Sequence, residues 1–480
     1  MTHTTTTVPD HRTEHDLLGN FEIPTQAYYG VHAARAADNF PLTGSLLGSQ
    51  PIFISALAAV KQAAAIANRD IGLLSAEKAV AIIKACEEVR SGEFHDHFIV
   101  DMIQGGAGTS TNMNTNEVIA NRGLEHLGYR RGEYEYLHPL QDVNLGQSTN
   151  DVFPTALKLA LDGHIVRLLN SLAHLRQSLE AKAEEFSDVI KMGRTQLQDA
   201  VPMTLGQEFL AYAVTLEEDE CRLREGRLLL HELNLGGTAI GTELNAHPEY
   251  RARAVEALKA ITGVDTLISA ANLVEATSDV GVFVQLSGIL KRVAVKLSKT
   301  CNDLRLLSSG PRAGFNEINL PPRQAGSSIM PGKVNPVIPE AVNQVAFEVI
   351  GNDVTITLAA EGGQLQLNAF EPIIARALFA SLEHLSAASR ILADKCIDGI
   401  TANRELLRTH VSESIGLVTA LSPRIGYENA TIIAQEALLT GQGVAELVLS
   451  KGLLTQQEID GLLAQMLSGT SRNVQLPHTV

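Results

Sequence analysis

The segment Gly326–Glu340, GSSIMPGKVNPVIPE, concentrates groups that could do chemistry. Ser327 and Ser328 offer two adjacent hydroxyls, Lys333 offers an ammonium, and three prolines stiffen the surrounding backbone. The few apolar residues in the segment follow no helical period, so packing alone does not explain it. We interpret the segment as a shaped loop that presents hydroxyls and one cation to a small polar ligand.

Three other segments are polar and non-periodic, namely Gly105–Glu117 (GGAGTSTNMNTNE), Gln147–Asp151 (QSTND) and Gly193–Ala200 (GRTQLQDA). Each of them carries hydroxyl and amide side chains but few charges. Any one alone is explained as well by helix capping and turn formation. Taken together with the first loop, they supply short neutral donors that suit carboxylate oxygens, to which Lys333 adds a positive charge.

Long helices must position these segments. Between His164 and about Lys191 the apolar residues recur at steps of three and four, which predicts one helix with a single apolar stripe. We predict a second helix from Pro202 to about Leu235, and a third from near Thr277 to Ser309. Helices of such length are typical of an extended bundle, and strand signals are sparse. The sequence therefore predicts a mainly α protein.

The charge and cysteine content exclude several functions. The formal net charge is −16, which disfavours nucleic acid and anionic membrane surfaces as partners. No uninterrupted apolar run reaches the ~18–20 residues that span a bilayer. The polar N-terminal stretch MTHTTTTVPDHRTEHD is no secretory signal and is expected to be a frayed tail. The four cysteines lie far apart, so we expect neither disulfides nor a cysteine metal site, and a cytoplasmic location.

The sequence GSSIMPGKVNP, Gly326–Pro336, resembles the signature loop of the fumarase/aspartase superfamily. The resemblance continues through GAGTSTNMNTNEV, QSTND and GRTQLQDAVPMTLGQEF, and includes DLLGNFEIPTQAYYGVH near the N-terminus. It covers the chain from about Asp16 to about Leu463. We refer to Gly326–Pro336 as the signature loop.

This resemblance implies the three-domain, mainly α fold of the superfamily. The expected domains are an N-terminal domain (1–147), a central bundle of long helices (148–402) and a small helical C-terminal domain (403–480). It also implies a homotetramer whose central bundles join into one helical core. Each active site would then be assembled from segments of three chains, which explains how motifs so distant in sequence could converge.

Within the superfamily these motifs are most similar to those of members that convert L-aspartate to fumarate and ammonia. The resemblance implies no cofactor or metal. Ser327 is then the base that removes the proton beside the β-carboxylate, through an aci-carboxylate intermediate. Backbone N–H groups and a nearby ammonium would stabilise its alkoxide. The implied substrate ligands are Thr109, Ser148 and Thr149 for the β-carboxylate, Asn150 and Thr195 for the amine side, Ser328, and Lys333 with Asn335 for the α-carboxylate.

Gln196 bears on a rival function within the same superfamily. Fumarate hydratases carry histidine at this position, paired with a glutamate at the position of Glu340, and usually read QSSND where this chain reads QSTND. An amide cannot titrate near neutral pH, which fits an amine leaving group better than a hydroxyl. Some ammonia-lyases also carry histidine there, so Gln196 supports the expectation without deciding it.

The sequence gives less support to two further hypotheses about function. Relatives that act on argininosuccinate or adenylosuccinate need room for a large substrate, and no motif here indicates it. A non-catalytic structural role, as in lens crystallins recruited from this superfamily, is disfavoured because Ser327, Lys333 and Asn335 are all present.

Overall fold

The computed structural model describes residues 10–468, and most of them are helical. They form two compact units. The first contains the chain up to Leu169 together with 221–292 and 347–385. The second contains 170–220, 293–346 and the chain from Ser386 onward. The three domain boundaries expected from the resemblance remain a prediction.

Helices dominate both units, and several are long. α5 has 37 residues and therefore extends about 55 Å, and α9 has 27. The prediction of a mainly α chain with long helices is confirmed. The described helices are α1 (Val31–Asn39), α2 (Pro51–Asp70), α3 (Ala76–Arg90), α4 (Thr109–His126), α5 (Thr149–Glu185), α6 (Leu205–Leu229), α7 (Tyr250–Thr262), α8 (Leu273–Ser278), α9 (Gly281–Leu307), α10 (Val337–Glu361), α11 (Glu371–Lys395), α12 (Arg404–Glu413), α13 (Leu417–Ile425), α14 (Tyr427–Thr440), α15 (Val444–Ser450) and α16 (Gln456–Ser468).

Strands are more numerous than the sequence indicated, although most are short. They pair into two-stranded sheets, parallel for β5–β6 and antiparallel for β1–β2, β3–β4 and β7–β8. The described strands are β1 (His11–Asp16), β2 (Gly19–Pro24), β3 (Ile190–Thr195), β4 (Gln198–Thr204), β5 (Glu232–Leu233), β6 (Ile268–Ser269), β7 (Ile318–Asn319) and β8 (Thr401–Ala402).

The predicted frayed tail is wrong from His11 onward, because β1 pairs with β2 along its whole length. Buried Glu14 fixes this hairpin in place, since its carboxylate accepts the backbone N–H of Val31 at 2.9 Å. Residues 1–9 lie outside the described part of the chain.

All three predicted helices differ from the structure at their ends, since α5 ends at Glu185 rather than near Lys191 and α6 at Leu229 rather than near Leu235. α5 begins 15 residues before His164, with Pro154 tolerated close to its N-terminus. Pro202 lies in β4 rather than at a helix start, and a strand of a two-stranded sheet has a free edge that tolerates proline. α6 begins after it, where Thr204 and Gln207 exchange side-chain-to-backbone hydrogen bonds of 3.0 and 2.9 Å as a capping box. Near Thr277 a short helix, α8, ends before α9 starts.

By length and hydropathy alone, α2 is the one unbroken helix in the described part of the chain that is long and apolar enough to cross a membrane. Of its apolar window 78% is buried inside the structure, and it packs against α3 and α7. That burial is typical of the core helix of a folded domain. In the second unit, α13 to α16 share an apolar core of their own, which includes Leu421, Ile433 and Val448.

The buried carboxylate of Glu117, on α4, caps the N-terminus of α1. It accepts the backbone N–H groups of Gly30 (2.8 Å), His32 (2.8 Å) and Ala33 (3.1 Å). These are donors that a helix start leaves without partners, and a carboxylate there also opposes the positive end of the helix dipole. Glu117 is the last residue of the polar segment GGAGTSTNMNTNE. At least this residue of the segment therefore has a structural role.

We expect Glu117→Gln to lower the free energy of unfolding by about 1–3 kcal/mol, because the amide nitrogen cannot accept any of these buried N–H groups. Denaturant unfolding at fixed protein concentration measures the change. Glu77→Gln is the matched control, since Glu77 is exposed on α3, and it should shift stability by no more than about 0.5 kcal/mol. Equal effects of the two substitutions would contradict the capping role.

Candidate active site

In the first unit, two polar segments meet where α4 and α5 begin. Thr109 is the first residue of α4 and Thr149 the first of α5. Asn112 Nδ2 donates to Thr149 Oγ1 at 3.1 Å, which links the two helix starts directly. Ser148 immediately precedes α5, and its Oγ accepts the Asn150 N–H at 3.2 Å. The structure therefore brings Thr109, Ser148, Thr149 and Asn150 into neighbouring helix N-termini, where backbone dipoles favour anions.

Gly108 allows this approach. Its φ is +88°, and a Cβ atom at this position would lie 2.2 Å from the Phe153 ring of α5. Any side chain at 108 would push the two helix starts apart or distort the turn.

Asn144 is the centre of a polar network beneath these helix starts. Its Oδ1 accepts from Lys61 Nζ (2.9 Å), Asn112 Nδ2 (3.1 Å) and Asn116 Nδ2 (3.2 Å). Lys61, which is fully buried on α2, also donates to Gln147 Oε1 at 2.9 Å. Burial lowers the pKa of Lys61 to about 7, although the nearby Asp151 charge opposes that shift. A lysine in the middle of the mainly apolar α2 is the sequence signal for this network, and the sequence analysis missed it.

Asp151 fixes the QSTND turn from the other side. It is fully buried, and its carboxylate accepts backbone N–H groups of Ser148 (3.0 Å), Gly236 (3.1 Å) and Thr238 (3.0 Å). Burial raises its pKa to about 7, and these hydrogen bonds together with the Lys61 charge act against the rise. Asn150 Nδ2 donates to the Ala239 carbonyl at 2.7 Å, which leaves one of its two amide protons for another acceptor.

In the second unit, Thr195 and Gln196 lie at the tip of the β3–β4 hairpin, and both are exposed. Gln196 and Leu197 form the two-residue turn, with φ of +55° and +62°. A turn with two positive φ values normally selects glycine or asparagine, so these residues hold a strained conformation.

The signature loop is closed by its own hydrogen bonds. Gly326 N donates to the Lys333 carbonyl (2.9 Å), and Asn335 Nδ2 donates to the Gly326 carbonyl (2.7 Å). Half-buried Ser327 accepts the backbone N–H groups of Ile329 (3.2 Å) and Met330 (3.1 Å) at its Oγ. Ser328 and Lys333 are exposed.

A cavity of about 750 Å³ lies beside this loop. Lys333 and Asn335 line it, together with Arg305 of α9 and Asn316. Arg305 adds a second positive charge that the sequence analysis did not single out, because it sits in a helical pattern outside the polar segments. Its guanidinium donates to Asn343 Oδ1 at 3.2 Å.

The expected site residues thus form three groups, one in the first unit and two in the second. Within the described part of the second unit, no hydrogen bond joins the side chains of Thr195 or Gln196 to the signature loop. Among the described residues, no group of three or more His, Cys, Asp or Glu side chains is placed to hold a metal ion.

Comparisons with known proteins agree with this architecture. Residues 19–351 match a family model described as lyase, and residues 417–466 match one described as the fumarase C C-terminus. The aspartate ammonia-lyase of Pseudomonas fluorescens is 62% identical over 454 residues, 94% of this chain and 95% of the relative. That of Escherichia coli K12 is 54% identical over 454 residues, again 94% of this chain and 95% of the relative.

Solved structures of two relatives share the fold. A fumarate lyase:delta crystallin from Brucella melitensis bound to cobalt superposes with a TM-score of 0.92 at 54% identity, covering 95% of this chain and 99% of that one. A class II fumarase from Schistosoma mansoni gives a TM-score of 0.89 at 36% identity, covering 96% and 100%. The chain belongs to the fumarase/aspartase superfamily of lyases.

Proposed function

We propose that the chain is an aspartate ammonia-lyase, which converts L-aspartate reversibly to fumarate and ammonia. The observation that carries the proposal is the 54–62% identity to aspartate ammonia-lyases along about 94% of the chain. The geometry of the signature loop supports it.

The difficult step in this reaction is removal of a proton from the carbon beside the β-carboxylate. That C–H is a weak acid, so the negative charge must spread onto the carboxylate as an aci-form dianion, which preorganised donors stabilise. Ser327 is our proposed base. Two backbone N–H groups already point at its Oγ, and such donors stabilise an alkoxide relative to the hydroxyl.

The remaining residues would bind the two carboxylates. Thr109, Ser148 and Thr149 lie at helix N-termini that favour the β-carboxylate. Lys333 and Asn335 would hold the α-carboxylate. Lys333 is exposed at the edge of the loop cavity, and the Asn335 amide keeps one proton beyond the bond to Gly326. Ser328, exposed beside Ser327, completes the proposed set.

The amine side of the substrate would meet Asn150, Thr195 and Gln196. An ammonium group needs acceptors and leaves without further protonation, whereas a hydroxyl must receive a proton as it departs. Neither glutamine nor threonine is an adequate acid near pH 7. This arrangement therefore favours aspartate over malate.

The purified protein should form fumarate readily from L-aspartate and barely from L-malate, because a polar site built for one substituent rejects the other by factors on the order of 10⁴ in favourable cases. Ultraviolet absorbance of fumarate measures both rates. Comparable rates with the two substrates would instead make the chain a fumarate hydratase with an unusual site, and activity with neither would remove both functions.

Ser327→Ala should reduce aspartate turnover by several orders of magnitude while the protein stays folded, since the variant lacks the proposed base. Steady-state kinetics and circular dichroism give the two readouts. Ser328→Ala is the comparison variant in the same loop, with a smaller expected loss because Ser328 contributes binding only. Near-normal turnover in Ser327→Ala would assign the base to another group.

We also propose that the protein is a cytoplasmic homotetramer with active sites shared between three chains. The surface of α10 supports an assembly in which long helices of different chains pack together. Phe347, Val354 and Leu358 lie on one face of it and are 62%, 57% and 66% exposed. An apolar stripe of this kind on a single chain marks a surface that another protein surface covers.

Shared sites predict complementation between variants that each lack one site residue. Ser327→Ala and Thr195→Ala chains co-expressed in mixed tetramers should regain activity, because some sites then draw an intact Ser327 and an intact Thr195 from different chains. With random mixing the recovered activity approaches about a quarter of wild type under this symmetric arrangement. Mixed tetramers that gain no activity over the more active parent would show that both residues come from the same chain.

A further inference from the structure

Glu317 is a buried carboxylate that the mechanism above does not use. It is 0% exposed, and its backbone is held on both sides, with its N–H donating to the Leu307 carbonyl (2.8 Å) and its carbonyl accepting from Asn403 N (3.0 Å). Residues 318 and 319 continue as β7, paired with β8. A carboxylate in such a position is costly unless it is paired, so its partners indicate what it is for.

Two cations of β3 supply the pairing. Arg194 Nη1 lies 2.5 Å from Glu317 Oε1, and Lys191 Nζ lies 2.9 Å from Oε2 as an ion pair without the alignment of a hydrogen bond. Lys191 has a second carboxylate partner, Glu208, at 2.6 Å. Arg194 stacks on the Phe315 ring, with its guanidinium carbon 4.5 Å from the centroid, and its Nε also lies 4.0 Å from Asp199 Oδ1 on β4. Glu317 and Phe315 thus fix the guanidinium of Arg194 from two directions.

Arg194 directly precedes the hairpin tip. The β3–β4 register shifts between Met192 and Arg194, and the turn that follows holds Gln196 and Leu197 at positive φ. Conformations of this kind are unfavourable for residues other than glycine and persist only where the surroundings impose them. In the described part of the chain, Thr195 and Gln196 make no side-chain hydrogen bond of their own. The anchored Arg194 is therefore the nearest side-chain restraint on the N-terminal side of the tip.

We infer that Glu317, acting through Arg194, is a positioning residue that sets Thr195 and Gln196 at the hairpin tip and thereby the preference for an amine substituent on the substrate. The inference deepens the proposed function and rests on it for the identity of the substrate. Glu317 also lies at the start of the segment that leads to the signature loop. One carboxylate therefore holds both the hairpin tip and the beginning of the segment that carries the signature loop.

The test compares Glu317→Gln and Arg194→Lys with Glu208→Gln, a control that removes a charge from the same cluster without touching Arg194. Lysine keeps the charge of Arg194 but loses the planar fork. In the two test variants the KM for aspartate should rise about 10- to 100-fold, the range for one charge-assisted hydrogen bond. Inhibition by succinate, which has both carboxylates but no amine, should stay within about twofold of wild type. Glu208→Gln should leave unchanged the ratio of the KM for aspartate to the inhibition constant of succinate.

A second readout needs no substrate. Amide hydrogen exchange of residues 194–198 should be faster in Glu317→Gln than in wild type and unchanged in Glu208→Gln, because only the first substitution releases the tip. If the wild-type protein does not deaminate aspartate, the proposed function fails while the exchange result still decides the positioning role.

Three results would overturn the inference. In the first, the KM for aspartate and the inhibition by succinate change together, as they would in a generally loosened fold. In the second, neither constant changes. In the third, exchange at the tip is the same in Glu317→Gln as in wild type. Should Glu317→Gln fail to fold, Arg194→Lys carries both measurements, because it removes no charge from the buried cluster.

Discussion

A long helix has one apolar stripe to cover and two ends at which backbone groups need partners, and both demands shape this protein. α5 is about 55 Å long, which is more than a compact domain can surround. Its N-terminus begins in a turn that is hydrogen-bonded by Asp151 on one side and by Asn112 and Asn144 on the other. The chain thus places its reactive candidates where helix ends would otherwise leave donors without partners.

In the second unit, too, the segments that carry candidate site residues are held by hydrogen bonds and ion pairs, but the groups that hold them differ. The signature loop uses Asn335 and its own backbone to close on itself, which leaves Ser327 facing two N–H groups. The β3–β4 hairpin uses charge instead, through the buried ion pairs of Arg194 and Lys191. A loop that must admit substrate is better closed by neutral local bonds, whereas a tip that must keep one shape gains from a buried charge that is costly to displace.

The sequence predicted the helical class and the polar segments well, because helical periodicity and clusters of hydroxyl and amide side chains are local signals. It placed the ends of α5, α6 and α9 less well. Pro202 fits a helix start and an edge strand equally, and only the pairing of β4 with β3 decides between them. The residues that position the site, such as Lys61, Asn144 and Glu317, contact groups up to 123 residues away in the sequence. Their partners depend on tertiary contacts that no local pattern contains.

The close approach of Gly108 to Phe153 limits how this protein can vary. A Cβ at 108 would overlap an aromatic ring that belongs to the other helix start, and the backbone there already adopts a conformation that suits glycine. Neither position can therefore change freely on its own. A larger residue at 108 would require a smaller one at 153 and a different turn at the same time. A single substitution at position 108 is therefore not neutral. Positions 108 and 153, which are 45 residues apart in the sequence, are for this reason constrained together.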